Sequence, residues 1–339
     1  MSEKLRNSAL IAVLLAVGIA VPAGAQMAPG VRAQGLAGAF TGVADDASAV
    51  YWNPAGIAVG SLVSGVIDFG ETTQLPGAAQ IGPGTRDTTG MVAFSATALG
   101  FAYYHLATYT AGTAEPAGVG PDGREEVGRS VHAVVTGVIG VSLLQSLSEH
   151  IVVGVTPKWV RGGVRDGVST ERDINAALDS AAALEGPTST KFDVDASVMM
   201  HANRFRFGVT GRNLTTPEFL VNGVDGAVVE IDRQVRIGGA WGSGWSGLSR
   251  VIVAVDGDVT TQQSATGDRR DLAAGVETWW LKHRIGVRGG ARRSTVGESR
   301  SVFAGGVSAG VTAGLFVDAQ LTRGRDDQRG WSVGARMAF

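Results

Sequence analysis

Cysteine is absent from the 339 residues. That excludes disulfide scaffolds, thiolate catalysis and cysteine-ligated metals. An excess of either charge is absent too: 29 basic and 31 acidic residues leave a net charge of −2. Nucleic-acid binders carry a basic excess, so no nucleic-acid partner is expected. Proline is sparse, with 10 residues and no collagen-like period. The apolar share of 44% is too high for a disordered chain. Glycine is what abounds. Its 50 residues make about 15% of the chain, against a usual ~7%. Each glycine costs a helix interior about 1 kcal/mol, so a mostly helical protein is excluded. Many strands and tight turns are expected.

The first 25 residues read as an export signal. Lys4 and Arg6 form a positive start, Ala9 to Val21 an apolar stretch, and Ala23-Gly24-Ala25 a small-residue cleavage site. Cleavage after Ala25 leaves 27 basic and 30 acidic residues. No cysteine follows the cleavage point, so a lipoprotein is excluded. Val131 to Ser148 is also uncharged. Its apolar residues Val131, Ala133, Val135, Ile139, Val141 and Leu143 recur at period two, which predicts a strand rather than a membrane helix.

Fourteen strands are predicted: 62–69, 91–98, 101–109, 130–143, 151–163, 191–200, 205–214, 232–242, 250–259, 270–280, 283–292, 301–310, 313–322 and 331–339. Alternation is clear in the last, where Trp331, Val333, Ala335, Met337 and Phe339 oppose Ser332, Gly334 and Arg336. A soluble sandwich alternates as well, with its apolar side inward. Connection lengths separate the two folds. The odd-numbered connections are long and the even-numbered ones short, as in outer-membrane barrels. The chain also ends on an aromatic, Phe339, placed on the apolar side of its last strand. Trp159, Trp241, Trp245, Trp280 and Trp331 sit near strand ends and suit interfacial girdles. The reading is all-β: a transmembrane antiparallel β-barrel of about fourteen strands. In lipid a closed sheet satisfies every backbone group and leaves no edge.

Residues 26–60 do not alternate. They hold Gly35-Leu36-Ala37-Gly38-Ala39-Phe40, then Asp45-Asp46-Ala47-Ser48-Ala49, then Asn53-Pro54-Ala55-Gly56. Such a small-residue, turn-rich segment suits a plug inside a lumen. This run resembles the start of the FadL-like family of outer-membrane transport proteins, with its PorV/PorQ-type and conjugal-transfer relatives. Phe192-Asp193-Val194-Asp195 and Arg212 to Phe219 resemble a further pattern of these relatives. The resemblance implies a fourteen-stranded barrel with a luminal N-terminal hatch containing Asn53, Pro54 and Ala55. It also implies passage of hydrophobic molecules without nucleotide or covalent chemistry. Terminal aromatics of this kind resemble the signal read by the barrel-assembly machinery. The chain departs from the fatty-acid transporters in its modest, charged outer connections and its charged lumen face.

The expected domains are 1–25 signal peptide, 26–60 hatch and 61–339 barrel in the bacterial outer membrane. The gating candidates are Asp45, Asp46, Asn53, Pro54, Ala55 and Gly56. Asp45 and Asp46 could hold a metal or partner, cap a short helix, or pair with lumen arginines. The lumen candidates are Lys158, Asp193, Asp195, Arg206, Arg212, Arg236, Asp256, Asp258, Glu277, Arg284, Arg288, Asp318 and Arg336. They could lock a plugged barrel or line a polar path. Residues 171–185 predict a short helix with Ile174, Ala177, Leu178 and Ala181 on one face. It could line a ligand entrance or simply order its loop. Gly306 to Gly310 matches a nucleophile-elbow pattern, but inside a predicted strand. Gly242 to Gly247 matches a dinucleotide fingerprint, but no helix follows. The five histidines lack metal-ligand spacing. No catalytic residue, metal or cofactor is expected. The leading function is passive uptake of hydrophobic or amphipathic small molecules; the alternatives are a PorV-like barrel that binds or shuttles secreted proteins, or a structural barrel. Expected partners are outer-membrane lipids, the assembly machinery at Phe339, and either a hydrophobic ligand or a secreted protein.

Overall fold

The computed structural model describes residues 27–76, 82–119, 125–222, 228–244, 250–264, 267–297, 300–325 and 327–339. The signal stretch 1–25 and Trp245 lie outside them.

Fourteen strands close into an antiparallel barrel: β1 Val63–Gln74, β2 Gly84–Ala96, β3 Leu99–Ala111, β4 Glu125–Ser148, β5 Ile151–Ser169, β6 Ser189–Ala202 and β7 Phe205–Arg212 make one half. The other half is β8 Gln234–Gly242, β9 Arg250–Asp258, β10 Asp271–Trp280, β11 Ile285–Ser294, β12 Ser301–Thr312, β13 Leu315–Gly324 and β14 Arg329–Ala338. Each strand pairs with the next, and β1 pairs with β14 from Ser64↔Ala338 to Thr73↔Arg329. Phe339 and Val63 exchange backbone hydrogen bonds of 2.9 and 3.1 Å at the seam. All fourteen expected strands are present, and the long and short connections alternate as expected. The uncharged stretch from Val131 lies within β4.

The faces are arranged as a bilayer requires. Phe69, Phe101, Trp159, Val253, Val287 and Leu321 point out and are exposed, while Asp193, Asp256, Glu277 and Asp318 point in and are buried. A soluble sandwich would reverse this order. Phe69, Trp159, Phe192, Phe303 and Trp331 form an outward aromatic belt toward the long-connection end. Phe94, Phe101, Phe205 and Trp280 form a second belt toward the short turns, joined by half-buried Trp241. Trp331 to Phe339 spans about 26 Å along β14 at ~3.3 Å per residue. Tilted by ~40°, that projects to about 20 Å, most of the roughly 25 Å apolar band of such barrels.

β4 and β5 run well past the expected strand ends, to 24 and 19 residues, where a span needs about 9–11. Their long-connection ends therefore stand beyond the apolar band. There the outward side would meet water, and a helix covers it. This helix, Ile174–Ala182, buries Ile174, Ala177, Leu178 and Ala181 against Ala111 and Val131. Asp173 caps it, accepting from the N–H groups of Asn175 and Ala176 at 3.0 Å each. The apolar face read from the sequence is spent on the strands.

Candidate functional site inside the barrel

Residues 27–60 occupy the interior. Their secondary structure is slight: α1 Val31–Gly35, α2 Ala49–Trp52 and a 3-10 turn, Pro54–Val59. No helix here is long enough to be stable alone, so the surrounding wall holds the segment. Leu36, Ala39, Phe40, Val43, Ala44 and Ala47 are fully buried. The wall makes room with inward glycines. A Cβ at Gly290 would stand 2.5 Å from the Leu36 backbone, and one at Gly208 2.5 Å from the Thr41 carbonyl. Part of the glycine excess is thus the footprint of a backbone pressed against a sheet.

Polar wall groups grip this backbone. Asp256 accepts from the N–H groups of Phe40 and Thr41 at 2.9 and 2.7 Å. The Ser197 hydroxyl accepts from Ala55 N–H at 2.9 Å, and Ser64 from Ala47 N–H at 3.0 Å. Asn53 donates to the Thr41 carbonyl at 2.9 Å. The amide oxygen of Gln34 accepts from Gln320 at 3.1 Å and from Ser332.

One connected ion network joins segment and wall. Arg32 forms a two-pronged pair with Glu277, both bonds 2.8 Å, and reaches Asp45 at 2.5 Å and Asp46 at 3.2 Å. Arg206 and Arg250 lie 3.2 and 3.6 Å from Asp45. Arg288 bridges Glu277 at 3.3 Å and Asp318 at 3.2 Å, and Arg336 meets Asp318 at 3.2 Å. Burial disfavours the Asp45 charge, but Arg32, Arg250 and Arg206 outweigh it and hold its carboxyl well below the usual range. Burial likewise opposes the Arg32 charge, and Asp45, Glu277 and Asp46 raise its pKa regardless. Asp46 also accepts from Ser48 N–H at 3.0 Å. Both acids therefore pair with arginine, and Asp46 also bonds the residue that opens α2.

Two further clusters sit toward the long connections. Lys158 contacts Asp193 at 3.1 Å and Asp195 at 2.6 Å. Arg236 contacts Asp256 at 3.3 Å and Asp258 at 2.7 Å. Arg212 instead stacks on Tyr51, 3.9 Å from the ring centre, and bonds Gln234.

Cavities lie on both sides of the segment. One toward the long connections holds about 90 Å³ and is walled by Tyr51, Trp52, Tyr104, Leu106 and Val160 and by the charged Lys158, Arg212, Arg236, Asp258 and Asp271, among others. The one at the short-turn end holds about 580 Å³ and is bounded by Asp45, Val59 and Gly60 on its inner side.

The structure thus brings Asp45, Asp46, Arg206, Glu277, Arg288, Asp318 and Arg336 into one network. Lys158, Asp193 and Asp195 form a second cluster, and Arg236, Asp256 and Asp258 a third. Pro54, Ala55 and Gly56 are buried in the 3-10 turn, where a Cβ at Gly56 would collide with the Ala44 backbone. Arg284 is separate: it is exposed in the short turn before β11. Sequence reasoning missed Arg32 and Arg250. Arg32 is the only basic residue of 26–60, a lone cation among small apolar residues, and that was the available signal. Arg250 shares the inward parity of Asp256 and Asp258. Ser308 of the elbow-like pattern lies within β12 and bonds Asp318 and Arg288, not an imidazole. The last residues of the fingerprint-like stretch lie outside the described residues. Among the described residues no group of three or more His, Asp or Glu is placed to hold a metal ion.

Residues 129–258 match a family model described as "F plasmid transfer operon, TraF, protein". No curated protein matches the chain. Solved structures do. A FadL homologue of Pseudomonas aeruginosa is 13% identical, with a TM-score of 0.56 over 94% of this chain and 100% of that one. The CymD monoaromatic hydrocarbon channel is 11% identical, with a TM-score of 0.58 over 94% and 99%. The toluene transporter TodX of Pseudomonas putida is 10% identical, with a TM-score of 0.52 over 93% and 98%. The chain has the fold of these FadL-like outer-membrane channel barrels.

Proposed function

We propose that the chain is a bacterial outer-membrane barrel for passive uptake of small hydrophobic or amphipathic molecules, reached after cleavage of its signal peptide. No covalent chemistry is involved. Residues 27–60 act as the hatch, and Phe339 presents the end of the chain to the assembly machinery. The observation that carries the reading is the cavity on the long-connection side of the hatch. Tyr51 and Trp52 of the hatch and Tyr104, Leu106, Val138 and Val160 of the wall give it an apolar side, which suits a hydrophobic body, and Lys158, Arg212, Arg236, Asp258, Asp271 and Arg292 give it a charged side, which suits an amphipathic one. Channels of the same fold carry hydrocarbons according to their names, which supports the same use here. At about 90 Å³ the cavity is smaller than the ~150 Å³ pocket that takes benzene. Loading therefore requires the hatch to shift.

The sealed interior favours a second reading, a barrel that holds or shuttles a secreted protein. Mass spectrometry of molecules extracted from the purified barrel separates the two, with toluene flux into proteoliposomes as the functional measure. Uptake predicts a retained lipophile and flux that changes on Asn53→Ala with Pro54→Ala. An empty barrel without flux that carries a co-purifying secreted protein overturns uptake.

A further inference from the structure

We propose that the cavity at the short-turn end is a binding site for a small organic anion: one carboxylate or phosphate group on an aromatic or apolar body. The proposal does not rest on the lumen conducting.

Charge is the first observation. Arg32, Arg206, Arg250, Lys282, Arg284 and Arg336 line the cavity, against only Asp45 and Asp46. Including Arg288, Glu277 and Asp318, which pair just behind the lining, leaves seven cations to four carboxylates. An anion offsets that excess, and in a recess of low dielectric the attraction is stronger than in bulk water.

Shape and lining are the second. The cavity holds about 580 Å³, within the ~300–1,000 Å³ of small-molecule sites. It ends against residues Asp45 and Val59 to Ser61, so a folded partner cannot enter. Trp279, only 3% exposed, meets Phe316 edge-on at 5.4 Å. The Arg336 guanidinium lies 4.5 Å from the Phe316 ring centre. This pairs an aromatic surface with a cation, the two halves an aromatic acid needs.

Unused donors are the third. Arg336 is 7% exposed and spends Nε on Asp318, while its buried Nη2 has no hydrogen-bond partner among the described residues. At the rim, Lys282 and Arg284 are exposed and make no ion pair among the described residues. Leu281, Lys282 and His283 hold the left-handed φ values 51, 57 and 61° in succession. Such a run costs about 1–2 kcal/mol per residue, and strain of this kind gathers at binding sites. Here it shapes the turn that sets both cations at the mouth.

The test is isothermal titration of the full barrel in non-ionic detergent with 1-naphthoate, with neutral 1-naphthalenemethanol and with inorganic phosphate. Naphthoate is expected to bind at least ~10-fold tighter than the alcohol, a gap of about 1.4 kcal/mol. Lys282→Glu with Arg284→Glu should weaken it at least ~10-fold, as should salt of about 0.5 M. These exposed changes leave the wall intact, which heat-modified gel migration verifies. Arg336→Gln tests the base of the site separately. Displacement of naphthoate by phosphate would support a site shared with phosphorylated ligands; displacement by excess benzoate alone would support a carboxylate site. Equal affinity for acid and alcohol, no binding to the parent, or an affinity unchanged by the rim reversal would overturn the proposal. Flux is not measured in this experiment, so its failure and the failure of uptake are distinguishable.

Discussion

Glu277 is a wall residue that grips residues 27–60, the proposed hatch, through Arg32. It is fully buried and accepts two hydrogen bonds from Arg32 and one from the Trp279 indole, each 2.8 Å, while Arg288 lies at 3.3 Å. Replacing it by alanine strands Arg32 with Asp45 and Asp46, and Arg288 with Asp318. Removing one partner of a buried ion pair costs about 3–5 kcal/mol. Arg32 belongs to the N-terminal segment and Glu277 to the wall, so the cost falls on docking the one against the other. The strand ladder around position 277 is backbone-made and survives. A loss of about 4 kcal/mol shifts the docked-to-released ratio roughly 1,000-fold. Conductance in planar bilayers reads that shift as open events rare in the parent and frequent in Glu277→Ala. Glu277→Gln keeps one acceptor and should fall between. Asp327→Ala is the control, because its pair with Arg329 is exposed and 3.5 Å long, worth about 0–1 kcal/mol. If Glu277→Ala stays as closed as the parent, or the barrel loses heat resistance without opening, the ion network does not hold the hatch.

Gly208→Val should force the hatch off the wall, because its first carbon already collides with Thr41; overpacking costs about 1–3 kcal/mol. Gly257→Ala, whose Cβ meets only Leu272 at 3.8 Å, should leave conductance unchanged, and equal behaviour of the two would refute the packing argument. Asp173→Ala removes both capping bonds of the helix Ile174–Ala182, about 0.5–2 kcal/mol. Protease should then cut that loop faster while barrel melting stays constant. Asp45 is held below its unfolded value of about 3.9, so its contribution is fully present above that pH and is lost only as pH falls further. Conductance should therefore stay closed from pH 7 to about 4.5, and opening in that range would contradict the pairing.

The strands were legible because each face of a barrel wall meets one environment. In β13, Leu315, Val317 and Leu321 alternate with Asp318 and Gln320, and the bilayer outside and packed interior inside keep that period for the whole span. The helix in the 170–188 connection was legible for the same reason: Ile174, Ala177, Leu178 and Ala181 return to one side at helical spacing. Its destination was not legible. The sequence offered a ligand entrance or loop order, and only the position of Ala111 and Val131 beneath it shows where the face is buried.

Composition and alternation by themselves determined the fold class, the strand count, the sidedness of the connections and the inward set of charges. All of these follow from local periodicity against two solvents. The partners of the charges came only from tertiary structure. Arg32 and Glu277 are 245 positions apart, and nothing local relates them. Barrel closure fixes the angle at which each inward side chain points, and the path of residues 27–60 decides which of them it meets. The same closure gathers Lys282 and Arg284 of one turn and Arg336 of β14 around one cavity. A period of two specifies a face; it does not specify what stands across the lumen.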